Sequence, residues 1–197
     1  MAWGRRQNEI FFRSSREGQL VDYQFYDFNN LIKQKDRRSM ADDVSSLIAN
    51  GHYWKNSPKY QTDVQIFGAP GEHWMKLKMS FVWACFAFIG REVQIKNVQS
   101  WSFMTSNKYP EPRDKLWHHH HHDKSVESVS GVYYVKVPVK NKKCGTEFAP
   151  NGPEDPSRLM LPPKEGQWVI YNSREWHRPG ELLSDKDRFI VAADMMY

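Results

Sequence analysis

The strongest constraint on the fold of this chain is a change in hydrophobic periodicity near residue 92. Before that point, two segments carry apolar residues at three- and four-residue steps, as amphipathic helices do. After it, apolar residues fall in short runs rich in β-branched and aromatic side chains, separated by Pro, Gly and Asn clusters. Helices followed by strands predict an α+β fold that is mainly β with flanking helices, with a jelly-roll-like core buttressed by the helices.

The periodicity also predicts individual elements. A helix is expected over residues 29–48, ending at Asn50 and Gly51, and a clearer one over residues 72–89, followed by Gly90 as a C-terminal breaker. Strands are expected over four segments, residues 93–104, 129–139, 167–172 and 188–196. The Lys-, Gly- and Pro-rich stretch 141–166 cannot be one regular element, and it is either a substrate-binding loop or a surface excursion.

A chain of 197 residues fits one domain. We expect residues 1–92 to form an N-terminal helical buttress with strands and residues 93–197 to form the β core. Several aromatic residues near the start are expected to enter the core or to wall a groove: Phe11, Phe12, Tyr23, Phe25, Tyr26 and Phe28.

Composition limits the class of protein. The net charge of +5 is spread along the chain, so it permits a nucleic-acid partner without indicating one. Cys85 and Cys144 have no metal-binding spacing, which predicts free thiols and a reducing compartment. The first residues lack the pattern of a secretory signal, and no apolar run is long enough to span a membrane. We therefore expect a soluble, cytoplasmic protein.

The most unusual local feature is a run of five histidines between Trp117 and Asp123. Residues i and i+2 of an extended segment face the same side, so His121 and Asp123 can present a nitrogen and a carboxylate oxygen to one metal ion. Two histidine pairs could do the same: His119 with His121, or His120 with His122. A purification tag also contains such a run, but tags stand at chain ends and this run lies inside patterned sequence.

A third ligand candidate follows downstream. His177 would complete a set of two histidines and one carboxylate with His121 and Asp123, which leaves coordination positions open and is typical of non-haem Fe(II) oxygenases. No HExxH pattern supports a hydrolytic zinc enzyme. Arg188 opens the last predicted strand, and its planar fork of donors suits bidentate capture of a dicarboxylate cosubstrate.

The order of these motifs resembles the 2-oxoglutarate- and Fe(II)-dependent oxygenases, more closely the prolyl-hydroxylase-like branch with its phage and marine bacterial members. The motifs are HHD ending at Asp123, then SGVYYVKVP, GTEF, WHRPG and Arg188, from about Trp101 to the C-terminus. The resemblance implies a double-stranded β-helix, a cupin-like jelly roll. It places HxD at the end of a core strand and His177 across the barrel mouth. For a phage-encoded protein it implies the host cytoplasm.

The resemblance also implies roles for residues. His121, Asp123 and His177 would bind Fe(II), while Arg188 and Tyr134 would bind the far carboxylate of 2-oxoglutarate, with Tyr133 on the opposite face. Dioxygen is the second cosubstrate and ascorbate an optional reductant. The implied reaction hydroxylates a peptide, prolyl or otherwise, or a small molecule, and releases succinate and CO2.

Two positions near these ligands bear on the resemblance. Ile190 stands where many relatives have a small hydroxylated residue, which removes one expected hydrogen bond to the cosubstrate. Arg178 follows His177 so closely that we expect it to face away from the pocket, which leaves Arg188 as the better candidate for the cosubstrate's carboxylate.

Two other functions fit parts of the pattern. A cupin-like metal-binding β-barrel without oxygenase activity needs the metal ligands but neither Arg188 nor Tyr134. A nucleic-acid oxygenase is permitted by the positive charge, but the expected cluster of basic and aromatic residues around a groove is not apparent in the sequence. The sequence names neither the prime substrate nor the oligomeric state.

Overall fold

The structure is a computed structural model that describes residues 21–54, 60–106, 116–120, 126–138 and 143–197, together with the backbone of residues 12–13. It contains helices α1 (Gln34–Ala49) and α2 (Glu72–Ile89) and a 3₁₀ turn at Ile66–Gly68. The strands are β1 (Phe12–Arg13), β2 (Tyr23–Asp27), β3 (Tyr60–Gln61), β4 (Asn97–Thr105), β5 (Ser128–Lys136), β6 (Thr146–Phe148), β7 (Leu159–Leu161), β8 (Gln167–Asn172), β9 (His177–Pro179) and β10 (Arg188–Met196).

Both predicted helices are confirmed. The helix predicted over residues 72–89 has those bounds in the structure, and Gly90 caps it in the left-handed conformation with φ of 72°. The first helix begins only at Gln34, because the chain turns tightly before it: the amides of Leu31 and Ile32 both donate to the Phe28 carbonyl. The Asp36 carboxylate then caps the new helix by accepting from the Lys33 amide at 2.8 Å.

The strands form two antiparallel sheets. The larger has seven strands in the order β1-β2-β8-β5-β10-β4-β3, and the smaller has three in the order β7-β6-β9. The predicted strands at 167–172 and 188–196 are confirmed with the same bounds, while the other two are confirmed with shifted ends. The short strands β1, β2, β3, β6, β7 and β9 were not predicted, because two to five residues are too few to show a period. The fold is mainly β with two flanking helices, as predicted.

The large sheet is covered on both faces. One face packs against α1 and α2 in a core that includes Phe81, Tyr133 and Trp168, all with 0% exposure. On the other face, Tyr134 and Tyr171 pack in a second core with Phe148 of the small sheet. One layer of buried side chains therefore lies on each face of the large sheet. The site described below belongs to the layer between the large and the small sheet.

Other expectations meet the structure in part. The stretch 141–166 is not one element, but it contributes β6 and β7 to the small sheet. Cys85 and Cys144 are buried and are not joined in a disulfide, as predicted. Of the early aromatic residues, Tyr23, Tyr26 and Phe28 are buried and Phe25 is half-buried, whereas the side chains of Phe11 and Phe12 lie outside the described residues.

Two features concern the chain as a whole. The division of the chain into residues 1–92 and 93–197 stays a prediction. Strands β2 and β3 of the first part join the large sheet together with strands of the second part. Within the described ranges, neither α-helix combines the length and low polarity that a membrane span requires.

Candidate active site

A cavity of about 230 Å³ lies between the two sheets. Strands β4, β5, β8 and β10 of the large sheet form one wall, and β9, the start of β6 and the first half of the histidine run form the other. The side chains that line it include aromatic, aliphatic, imidazole and guanidinium groups: Gln61, Trp101, Phe103, Thr105, Leu116, His118, His120, Val132, Tyr134, Gly145, Thr146, Tyr171, His177, Arg178, Pro179, Arg188, Ile190 and Ala192.

Three histidines converge in this cavity. One ligand atom from each of His118, His120 and His177 lies within 4.8 Å of the others, a spacing that could hold a metal ion. Backbone hydrogen bonds fix this arrangement: the amide of His118 donates to the His177 carbonyl at 3.1 Å, and the amide of His177 donates back at 2.9 Å. The His120 amide donates to Ser173 at 2.9 Å, so the segment is held in register with the chain before β9.

In each of these histidines, Nδ1 lies within hydrogen-bonding distance of an acceptor oxygen. Nδ1 of His118 lies 2.8 Å from the Leu116 carbonyl, and Nδ1 of His177 lies 2.8 Å from the Glu175 carbonyl. Nδ1 of His120 lies 2.6 Å from a carboxylate oxygen of Asp194. A neutral imidazole that donates through Nδ1 carries its lone pair on Nε2, which is the form that binds a metal. The donor set therefore fits a divalent transition metal such as iron.

Burial favours the same neutral form at His177. Its side chain is 4% exposed, and burial, helped by the nearby His118 and His120, holds its pKa well below the ordinary value. His118 is exposed, so the cluster opens to solvent on that side. The candidate site thus combines a buried histidine, His177, with a side that solvent can reach at His118, as a reaction centre needs.

Arg188 lies in the same cavity with 1% exposure. Its Nη1 donates to the carbonyls of Cys144 and Gly180, and its Nη2 donates to Thr105 Oγ1 at 3.2 Å. Its Nε has no hydrogen-bond partner among the described residues. A buried guanidinium that lines a cavity and keeps an unpaired donor is well suited to an anionic ligand.

Backbone packing around Arg188 depends on glycine. A Cβ at Gly180 would lie 2.0 Å from the Lys143 carbonyl, and one at Gly145 would lie 1.8 Å from the Leu161 carbonyl. Only a residue without a side chain allows these close approaches. The glycines therefore let the loops bring the carbonyls of Cys144 and Gly180 to the guanidinium.

The tyrosine pair on β5 divides between the two faces of the large sheet. The Tyr134 hydroxyl lies 2.8 Å from Thr146 Oγ1 in the cavity, and burial raises its pKa to about 12. Tyr133 packs against Trp168 on the helix side, with ring centroids 5.2 Å apart. Tyr134 therefore stays protonated near neutral pH and can donate a hydrogen bond to a ligand.

The structure corrects one expectation and adds detail to another. Arg178 lines the cavity, so the expectation that it faces elsewhere is wrong; the short β9 lets consecutive residues border the same space. Its Nε donates to Glu147 at 2.8 Å, and its guanidinium stacks 4.1 Å from the Trp117 ring centroid. Ile190 also lines the cavity and presents an apolar surface there.

Some site residues were missed or cannot be placed. The sequence left all five histidines as candidate ligands, but the pair His118 and His120 was not singled out, although the i, i+2 rule applies to it as well. Asp194 was also missed; its signal was a carboxylate on the final strand in phase with Arg188. The predicted ligands His121 and Asp123 lie outside the described residues.

Comparisons with known proteins inform the fold. No protein-family model matches the sequence, and no curated protein matches it. Among solved structures, the chain is similar to the non-haem α-ketoglutarate-dependent epimerase SnoN of nogalamycin biosynthesis, with a TM-score of 0.64, 12% identity and coverage of 87% of this chain and 76% of that one.

Two further solved structures agree. The α-ketoglutarate-dependent carbocyclase SnoK gives a TM-score of 0.65 and 14% identity, with 88% and 79% of the two chains covered. A prolyl-4-hydroxylase from Pseudomonas putida gives 0.58 and 11%, with 88% and 91% covered. These likenesses establish that the chain has the double-stranded β-helix fold of the 2-oxoglutarate- and Fe(II)-dependent oxygenases, which includes the prolyl hydroxylases.

Proposed function

We propose that this protein is a 2-oxoglutarate- and Fe(II)-dependent oxygenase. The observation that carries the proposal is one cavity that contains both a cluster of three histidines and a buried arginine with an unpaired donor. Either feature alone occurs in many proteins. Together they match the two binding needs of this chemistry, a metal ion and a dicarboxylate cosubstrate.

The metal ligands in this proposal are His118, His120 and His177. The set expected from the sequence, His121 and Asp123 with His177, is the alternative, and both sets share His177. Bound Fe(II) would supply dioxygen activation and the oxidative decarboxylation of 2-oxoglutarate to succinate and CO2. The protein's own contribution is to orient the reactants and to exclude water.

Arg188 and Tyr134 would hold the far carboxylate of 2-oxoglutarate. The unpaired Nε of Arg188 and its neighbouring Nη2 form one side of the guanidinium fork, which can donate two parallel hydrogen bonds to a carboxylate. The protonated Tyr134 hydroxyl can add a third. Ile190 lies beside them on the cavity wall, where it would contact the methylene groups of the cosubstrate.

The prime substrate would approach the exposed side of the cluster, at His118. The cavity lining near the histidines is largely apolar, with Trp101 5.4 Å from the His120 ring, and Leu116 nearby in sequence. Such walls suit an apolar group that carries the reacting C–H bond, from a peptide side chain or a small molecule. Hydroxylation of either substrate class is our proposal for the reaction. The likeness to a prolyl-4-hydroxylase supports it, whereas the epimerase and the carbocyclase among the similar structures carry out other reactions on this fold.

Succinate formation from 2-oxoglutarate, dependent on Fe(II) and dioxygen, tests the proposal. His118→Ala and His120→Ala should each abolish it, whereas His119→Ala should retain it, because the His119 ring packs on Trp176 and does not line the cavity. His119→Ala is therefore a matched control within the same histidine run.

The same assay decides between the two ligand sets. If His121→Ala and Asp123→Ala abolish succinate formation while His118→Ala and His120→Ala turn over at the parent rate, the set expected from the sequence is the correct one. A parent protein that forms no succinate under any of these conditions would contradict the oxygenase proposal.

A metal-binding barrel without oxygenase activity is the second candidate. The observation that favours it is the all-histidine cluster in the described residues, because three histidines also suit zinc. Titration of 2-oxoglutarate into the Mn(II)-loaded protein separates the candidates. The oxygenase should bind the cosubstrate and lose that binding in Arg188→Ala, whereas the barrel should bind none at millimolar concentration.

A further inference from the structure

A buried carboxylate lies directly behind the histidine cluster. Asp194, near the end of β10, is 2% exposed. One of its oxygens lies 2.6 Å from Nδ1 of His120, and the same oxygen accepts a hydrogen bond from Ser130 Oγ at 2.6 Å. Asp194 does not line the cavity itself, and among the described residues it reaches the histidine cluster through His120.

The surroundings of Asp194 hold it in place. Ser130 pairs with it across β5 and β10, and the Ser130 hydroxyl lies 2.8 Å from Ser173 Oγ. The Ser173 carbonyl in turn accepts from the His120 amide at 2.9 Å. Through these contacts, the ring and the backbone of His120 are both fixed relative to one carboxylate.

Burying a carboxylate is costly unless a partner compensates it. A metal-bound imidazole is such a partner, because the cation polarises the ring and makes its Nδ1–H a stronger donor. A histidine binds a metal ion as a neutral imidazole, so three histidine ligands would bring no negative charge of their own. The Asp194 carboxylate would supply a negative charge that is separated from the ion by the His120 ring.

We propose that Asp194 is a positioning residue for the metal site, acting as the charged outer partner of His120. It fixes the tautomer with Nδ1 protonated, aims the ring at the ion and strengthens the ring as a donor. This inference rests on the proposed metal site at His118, His120 and His177, and it identifies a residue that bears on metal affinity without touching the metal.

Metal affinity of Asp194→Asn is the test, measured by titration of Co(II) into the metal-free protein. The substitution preserves size and keeps an oxygen that can accept from Nδ1, but it removes the charge. We expect Co(II) to bind about 10- to 100-fold more weakly. The visible absorption bands of bound Co(II) should shift as well, because the donor strength of His120 changes.

Asp36→Asn is the matched control. Asp36 is also a buried carboxylate, with 8% exposure, but it caps α1 and lies 3.6 Å from the Lys76 ammonium, away from the cavity. This variant should bind Co(II) as the parent does, with unchanged absorption bands, even where its melting temperature falls. Circular dichroism of each variant confirms that affinity is measured on folded protein.

The outcomes separate this inference from the proposed function. Weaker binding with shifted bands in Asp194→Asn alone supports the role of Asp194. Parent-like affinity in Asp194→Asn, or equal weakening in both variants, would overturn it while leaving the metal site intact. A parent protein that binds no Co(II) would overturn the metal site and this inference together.

Discussion

The two faces of β10 differ in what they bury. Phe189, Val191, Ala193 and Met195 belong to the core between the large sheet and the helices. The residues that alternate with them face the second layer: Arg188, Ile190 and Ala192 line the cavity, and Asp194 holds His120. One strand thus separates an apolar core from a layer that contains a guanidinium and a carboxylate.

This difference shows where stability and function are located. The apolar face excludes water and is stabilised by burial of side chains without polar groups. The opposite face is buried just as well, since Arg188 and Asp194 are 1% and 2% exposed, but it carries charges that lower stability unless something compensates them. Charges retained at such cost indicate a binding or catalytic role.

The largest expected effect falls on the cavity face. His177→Ala should abolish metal-dependent succinate formation, because His177 belongs to both proposed ligand sets. The fold should survive, as judged by circular dichroism, since β9 keeps its backbone pairing with β6. Turnover of 2-oxoglutarate at the parent rate would show that the ligand assignment is wrong.

Substitutions on the face of the large sheet that packs against the helices should change the stability of the protein instead of its turnover. Trp168 is fully buried, packs 4.9 Å from the Phe81 ring centroid and donates from Nε1 to Ser80 Oγ at 2.9 Å. Trp168→Ala should lower the free energy of unfolding by about 3–5 kcal/mol in denaturant titrations. At a temperature where the variant is folded, its 2-oxoglutarate requirement should match the parent's; a large rise would mean that the two faces are coupled.

Arg188→Lys sharpens the comparison by keeping the charge and removing the planar fork. The Michaelis constant for 2-oxoglutarate should rise roughly 10- to 100-fold, because hydrogen bonds to charged groups contribute about 1.5–3 kcal/mol each. Co(II) affinity should not change, since Arg188 is not a metal ligand in this proposal. An unchanged requirement for 2-oxoglutarate would assign its far carboxylate to another residue, with Arg178 the next to test.

Tyr134→Phe should have a smaller effect on the same constant. The substitution removes one hydroxyl, whose hydrogen bond is worth about 0.5–1.5 kcal/mol, so the Michaelis constant for 2-oxoglutarate should rise by about 2- to 10-fold. Steady-state kinetics with saturating Fe(II) measure it. A parent-like value would mean that Tyr134 only packs against Thr146 and takes no part in cosubstrate binding.

Tyr133→Phe is the matched substitution on the other face and should have the smallest effect. The Tyr133 hydroxyl is buried beside the Arg37 guanidinium without a well-formed hydrogen bond to it, so its removal should change the free energy of unfolding by less than about 1 kcal/mol. The 2-oxoglutarate requirement should stay at the parent value. A kinetic effect equal to that of Tyr134→Phe would contradict the division between the two faces.

Much of the fold could be predicted because the responsible signals are local. The periodicity of α2 and the β-rich runs of β8 and β10 gave their bounds directly, since each element is long enough to show a repeat. The strands of the small sheet were missed because each has three residues and exists through pairing with distant segments. Arg178 was placed wrongly for a similar reason, as the shape of a cavity depends on both of its walls.

The sequence by itself determined the class of fold and drew attention to His177, Arg188 and the histidine run as sites of chemistry. It could not choose among the five histidines, because alternation in an extended segment groups them only as odd and even positions. Among the described residues, tertiary structure brings His118 and His120 next to His177, because hydrogen bonds from His118 to His177 and from His120 to Ser173 fix their positions. It also brought Asp194 behind His120, a contact between segments far apart in the chain that only the packing of the sheets creates.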